Sequence, residues 1–245
     1  KMVADPFVGI LPTDRFDSEG WAPALSPERM QNRTSLLDEL SALQGPREPQ
    51  LPSPAFARQR ALARRFVNTG KVQRALDVQQ EPATVRERYG MTLFGQSCLA
   101  ARRLLEEGGQ FVTVCWDEFG LVNTGWDTHV HMRTRMRDEL GPGFDGAFAS
   151  LLEDLEQRGL LDETAIAVVS EHGRTPRVQN VEGGGRDHWG RAYSAVFAGA
   201  SFARGRVVGR TDSMAAEVAE NPFSPKDVIA TLYHVSVSYT HLTLP

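Results

Sequence analysis

Three short clusters in this 245-residue chain carry side chains able to do chemistry. Gly125-Trp-Asp-Thr-His-Val-His131 offers Asp127, His129 and His131. Ser170-Glu-His-Gly173 offers Glu171 and His172, and Gly183-Gly-Gly-Arg-Asp-His-Trp189 offers Asp187 and His188. Four of the six histidines fall in these segments, so imidazole is concentrated where carboxylate is. Carboxylate oxygen and neutral imidazole nitrogen together suit zinc, manganese or iron, which makes metal binding the chemistry to expect. The three glycines before Arg186 form a loop expected to bring its backbone close to a ligand.

Each cluster also has a plainer reading. Asp127 is placed to cap a helix starting near His129, Glu171-His172 to be a solvated strand end, and Asp187 to pair with Arg186 or Arg191. Their joint occurrence at strand ends and in a flexible loop, where function concentrates, favours the metal site.

The elements that must position these groups emerge from the hydrophobic pattern. Ala165, Ile166, Ala167, Val168 and Val169 form an apolar run without alternation, the pattern of a central strand covered on both faces. Glu171 and His172 then lie just past its carboxyl end, where open α/β sheets place their ligands. A strand over Phe111–Trp116 leads toward the first cluster. Helices are expected over Thr92–Glu107, Phe144–Arg158 and Pro225–His234, and further strands over Thr164–Ser170 and Tyr193–Ala198. Gly159 stops the second of these helices, in which Glu153, Asp154 and Glu156 fall opposite Leu151, Leu152 and Leu155. This alternation predicts an α/β fold, a three-layer α/β/α sandwich with a mostly parallel sheet.

Ahead of that region, Pro6–Glu19 reads as a loop and Ser26-Pro27-Glu28 as a helix start, with Leu36, Leu37, Leu40 and Leu43 on one face. Gln44–Pro54, with four prolines, reads as an exposed connection. A basic helix over Ala55–Leu76 carries Arg58, Arg60, Arg64, Arg65, Lys71 and Arg74, a solvated face or an attractor of anionic substrate. Apolar residues make up 41% of the chain, enough for a sizeable core. The 27 basic and 31 acidic residues leave a net charge of −4, which argues against nucleic acid or a membrane surface as a charge-driven partner. No apolar run approaches the ~20 residues of a membrane span. Cys98 and Cys115 are expected as buried, small apolar residues.

The segments Gln96–Gly108, Gly125–His129, Leu151–Thr164, Glu171–Pro176 and Gly185–Trp189 resemble the carboxyl-terminal half of the domain-of-unknown-function 1501 family, from Pro6 to Val235. That family is grouped with the alkaline phosphatases and sulfatases. The resemblance implies that residues 1–236 are the carboxyl-terminal part of a single alkaline-phosphatase-like domain. It places Ser170-Glu-His-Gly173 where the superfamily has an acid-His-Gly element supplying two ligands to one metal of a two-metal centre. Asp127 with His129 or His131 takes the place of the second metal's ligands, and His188 that of the late histidine.

By the same resemblance the chain is expected to be a hydrolase of sulfate or phosphate esters that uses divalent ions (zinc, manganese or calcium) on a small-molecule or polysaccharide substrate, exported or periplasmic. Arg174 and Arg186 are candidates for binding the ester's oxygens, or else form ordinary salt bridges. The alternative is a non-catalytic binding or scaffold protein, since the family often carries Phe in the place of His172. The family's first-strand acid and its Ser or Thr nucleophile have no counterpart before Pro6, and Lys1-Met2 opens no charged-then-apolar leader, so the expectation is a fragment inactive by itself. Val237–Pro245 reads as an adaptor-derived tail, and His241 is a candidate for nothing.

Overall fold

The computed structural model describes residues 27–43, 58, 61, 71–116 and 125–236, so Pro6–Glu19, Gln44–Pro54, most of the basic helix and Val237–Pro245 lie outside the described residues. The chain divides into two units, Lys1–Glu87 with Met91–Val114 and Arg88–Gly90 with Cys115–Pro245.

In the first unit, helix α1 (Pro27–Leu43) begins on the proline whose fixed φ suits a first turn. Its Leu36 and Leu40 are exposed. Helices α2 (Lys71–Leu76) and α3 (Ala83–Tyr89, its last two residues counted with the second unit) precede α4 (Leu93–Glu106), which starts where the Thr92 hydroxyl accepts the Gly95 N–H at 3.1 Å. Ala75, Leu76, Val78, Cys98, Leu99, Ala100 and Ala101 are buried. Arg102 is buried with them and is neutralised by Glu81 at 3.0 Å and Glu106 at 2.5 Å. Arg103 meets the same Glu81 at 2.5 Å and donates to the Ala75 carbonyl at 2.8 Å.

In the second unit, α5 (Met132–Arg135) runs through a π turn at Met136–Leu140 into α6 (Gly141–Gln157). Gly159, at φ 69°, ends α6 as the sequence predicts: Leu160 N–H donates to Leu155 O and Gly159 N–H to Glu156 O, closing the last turn. Tyr89, Leu140, Ala147, Leu155, Leu161 and Ala192 are buried. Asp154, expected on the solvent side, is buried as well. Its carboxylate accepts from the Tyr89 hydroxyl at 3.0 Å and pairs with Arg158 at 3.3 Å, which satisfies the charge inside. A last helix, α7, spans Pro225–Ser236.

The sheet expectation is overturned. The described strands form three two-stranded antiparallel pairs instead of one mostly parallel sheet between helical layers. β1 (Ile166–Val168) pairs antiparallel with β4 (Val196–Ala198), with Ala167 opposite Phe197. β2 (Gly173–Arg174) pairs with β3 (His188–Trp189), and β5 (Arg210–Thr211) with β6 (Val218–Glu220) around a bulge. The physical reason is that a short apolar run does not disclose how many neighbours it has. β1 is half-buried and Val169 is 57% exposed, so the run is not a strand covered on both faces. Residues 111–116 form no regular strand, Phe111 is 89% exposed, and Cys115 is exposed instead of buried.

Candidate metal centre

The three chemical clusters meet because backbone ladders tie their segments together. Antiparallel pairing of β2 and β3 sets Arg174 opposite His188. Thr175 N–H donates to Asp187 O at 2.9 Å, and the Thr175 hydroxyl accepts the Asp187 N–H at 3.1 Å. The glycine loop is fastened to the first cluster: His131 N–H donates to Glu182 O, Met132 N–H to Gly184 O and Arg186 N–H to Thr128 O, at 2.9–3.1 Å. Its glycines serve a close approach, though to the chain itself and not to a ligand. A Cβ on buried Gly185 would overlap the His129 carbonyl, and one on Gly183, at φ 66°, would overlap the His131 ring.

This bracing places Asp127, His129 and His188 around one point. Asp127 Oδ1 lies 3.0 Å from His129 Nε2 and 3.1 Å from His188 Nε2, and the two imidazole nitrogens are 3.1 Å apart. These three side chains are the group whose ligand atoms lie mutually within 4.8 Å among the described residues. A tetrahedral ion with ~2.0–2.1 Å bonds to nitrogen and oxygen separates its ligands by about 3.3 Å, so the observed triangle needs to open by only a few tenths of an ångström.

Proton accounting points the same way. Asp127 Oδ1 already accepts from Arg174 Nη2 at 2.6 Å, and one carboxylate oxygen offers about two lone-pair sites. His188 Nε2–H can fill the second at 3.1 Å, and a bound cation would replace that proton and take the imidazole lone pairs as donors. Burial pushes the Asp127 carboxyl upward, yet hydrogen bonds from Arg174 and His188 and the charges of Arg174 and His129 outweigh it, holding the group below its ordinary 3.8.

The other candidates take distinct places. His172 stacks on His188 with ring centres 4.1 Å apart, directs Nδ1 at the Gly173 carbonyl (2.9 Å), and turns Nε2 to Glu171 (3.1 Å). Glu171 and His172 thus form an acid–imidazole pair beside the triangle. Asp187 Oδ1 stands 3.6 Å from His129 Nδ1. The hydrogen bond from the His188 backbone N–H, opposed by desolvation and helped by the charges of His129 and His188, keeps the Asp187 carboxyl low.

His131 leaves the group. At φ 49° it starts α5, and its Nε2 faces Glu182 at 3.4 Å. Asp127 therefore does not cap the helix, and His129 is the histidine set beside it. Both arginines bind protein: Arg174 also donates to Trp126 O at 3.0 Å and Arg186 O at 3.3 Å, and Arg186 donates to the carbonyls of Thr175 and Pro176 at 2.7 and 3.1 Å.

Sequence reasoning misses Thr128, Thr175 and the Trp126 carbonyl, which hold the clusters in register. Only the Thr-Pro after Arg174 hints at a turn that brings a hydroxyl back onto the chain. No curated protein and no solved structure matches the chain. Residues 17–243 match the family described as a protein of unknown function (DUF1501), and the chain belongs to that family.

Proposed function

We propose that this chain provides a divalent-metal centre for hydrolysis of a sulfate or phosphate ester, with Asp127, His129 and His188 holding the ion. The observation that carries this reading is the triangle of one carboxylate oxygen and two imidazole nitrogens with sides of 3.0–3.1 Å. An ion bound there supplies Lewis acidity toward an ester oxygen and acidifies a water. Zinc and manganese suit the donor set best, since calcium prefers oxygen.

The chain's own residues do the rest. Arg174 keeps Asp127 ionised and fixes its oxygen in place. The His172 ring braces His188, and the Glu171–His172 pair adds a second carboxylate and imidazole next to the first three groups.

The arginines favour a second reading, a binding or scaffold protein that holds metal without turning over substrate. The guanidinium groups of Arg174 and Arg186 donate to protein acceptors instead of pointing outward at an anion. Calorimetry of chelator-stripped protein with zinc and with manganese tests the proposal. The expected result is one tight equivalent, weakened at least tenfold by Asp127→Asn or His188→Ala. Ion-dependent turnover of an aryl sulfate or aryl phosphate would favour the hydrolase over the scaffold reading, and absence of stoichiometric binding refutes both.

A further inference from the structure

We propose that Asp187 is not a ligand but the positioning carboxylate of His129, accepting its Nδ1–H and fixing the tautomer that leaves Nε2 free for a cation; this rests on the metal reading above. His129 Nε2 faces Asp127 Oδ1 at 3.0 Å and His188 Nε2 at 3.1 Å, so that nitrogen must offer its lone pair if the triangle is to hold an ion. Its proton then belongs on Nδ1, and the carboxylate facing Nδ1 is Asp187, with Oδ1 at 3.6 Å. A movement of a few tenths of an ångström makes this a hydrogen bond, the tightening common when a site fills.

Asp187 is held for the task. Its backbone is bonded twice to Thr175, at 2.9 and 3.1 Å, and its own Oδ1 accepts the His188 N–H at 2.8 Å. The carboxylate therefore cannot turn into the triangle without giving up that bond. Metal-bound imidazoles ordinarily rest their second nitrogen on such an acceptor, which sets ring orientation and raises basicity. His188 has a different support, the His172 ring stacked at 4.1 Å. The two histidines are thus held by unlike devices, and removal of one device should leave the other intact.

The test uses the full chain with zinc. Asp187→Ala is expected to weaken zinc binding about 10- to 100-fold and, in the metal-free protein, to let ¹⁵N NMR of His129 show a mixture of tautomers where the wild type shows Nδ1–H alone. Asp187→Asn, which keeps an acceptor oxygen, is expected to recover affinity to within a few-fold and restore the single tautomer. If the alanine variant does not fold, Asp187→Ser carries the test, since its short hydroxyl can accept the His188 N–H without reaching His129. Wild-type affinity and tautomer in the alanine or serine variant overturn the inference and leave the metal centre standing, as does an asparagine variant no better than alanine. A wild type that binds no zinc overturns the metal centre itself, and this inference with it.

Discussion

Gly185→Ala is the substitution that most directly probes how the centre is assembled. A methyl group there would run into the His129 carbonyl, with Val130 N only 3.0 Å away, so either the glycine loop or residues 128–130 must retreat. Retreat of the loop opens the Gln179–Gly185 and Arg186–Thr128 backbone bonds, 2.8 and 3.1 Å long. At about 1 kcal/mol each, with an overpacking cost of about 1–3 kcal/mol, the loss is about 3–5 kcal/mol. In a chain of this size that lowers the melting temperature by about 6–20 °C. Gly190→Ala is the control, because nothing lies within 4 Å of a Cβ built there, and its expected effect is within about 0.5 kcal/mol. Differential scanning calorimetry of the two variants, with zinc titrations on each, gives the comparison. Equal melting temperatures and equal affinities would refute the idea that close approach of this loop builds the centre.

Tyr89→Phe removes the donor that reaches buried Asp154 at 3.0 Å; urea midpoints are expected to show a loss of about 1–3 kcal/mol, since a buried acceptor loses a partner. Thiol titration with a disulfide reagent on the native protein should count one reactive cysteine, the exposed Cys115, because burial pushes the Cys98 thiol up to about 12. Burial raises the Glu81 carboxyl, but hydrogen bonds and charge from Arg103 and Arg102 more than offset this and bring it below its ordinary 4.5. A depressed folded value means stabilisation present above pH 4.5 and lost as pH falls through the folded value, so Glu81→Gln should flatten the acid limb of a stability–pH curve, with an unaltered slope counting against the charge cluster.

Helices are legible in the sequence because their ends are marked locally: Thr92 caps α4 through Gly95, and Gly159 closes α6 through a left-handed turn. The sheets are not, because pairing is decided by partners far along the chain. Nothing within Ala165–Val169 says that its neighbour is Val196–Ala198 running the other way. Residue types at the centre can be read, whereas their assignments depend on single backbone angles. The φ of 49° at His131 turns that histidine to Glu182 and leaves His129 beside Asp127. The triple glycine suggests room for a ligand because sequence shows only that a side chain is missing, not what occupies the vacated volume.

The bond between His129 and His188 joins positions 59 residues apart. A cation seated on both would act as a reversible cross-link closing a loop of that length, and the chain-entropy relation used for disulfides puts such a constraint at about 4 kcal/mol against the unfolded ensemble. Chelation would then loosen everything from α5 through β3, so protease sensitivity across residues 132–189 would report on occupancy of the centre even with no substrate in hand.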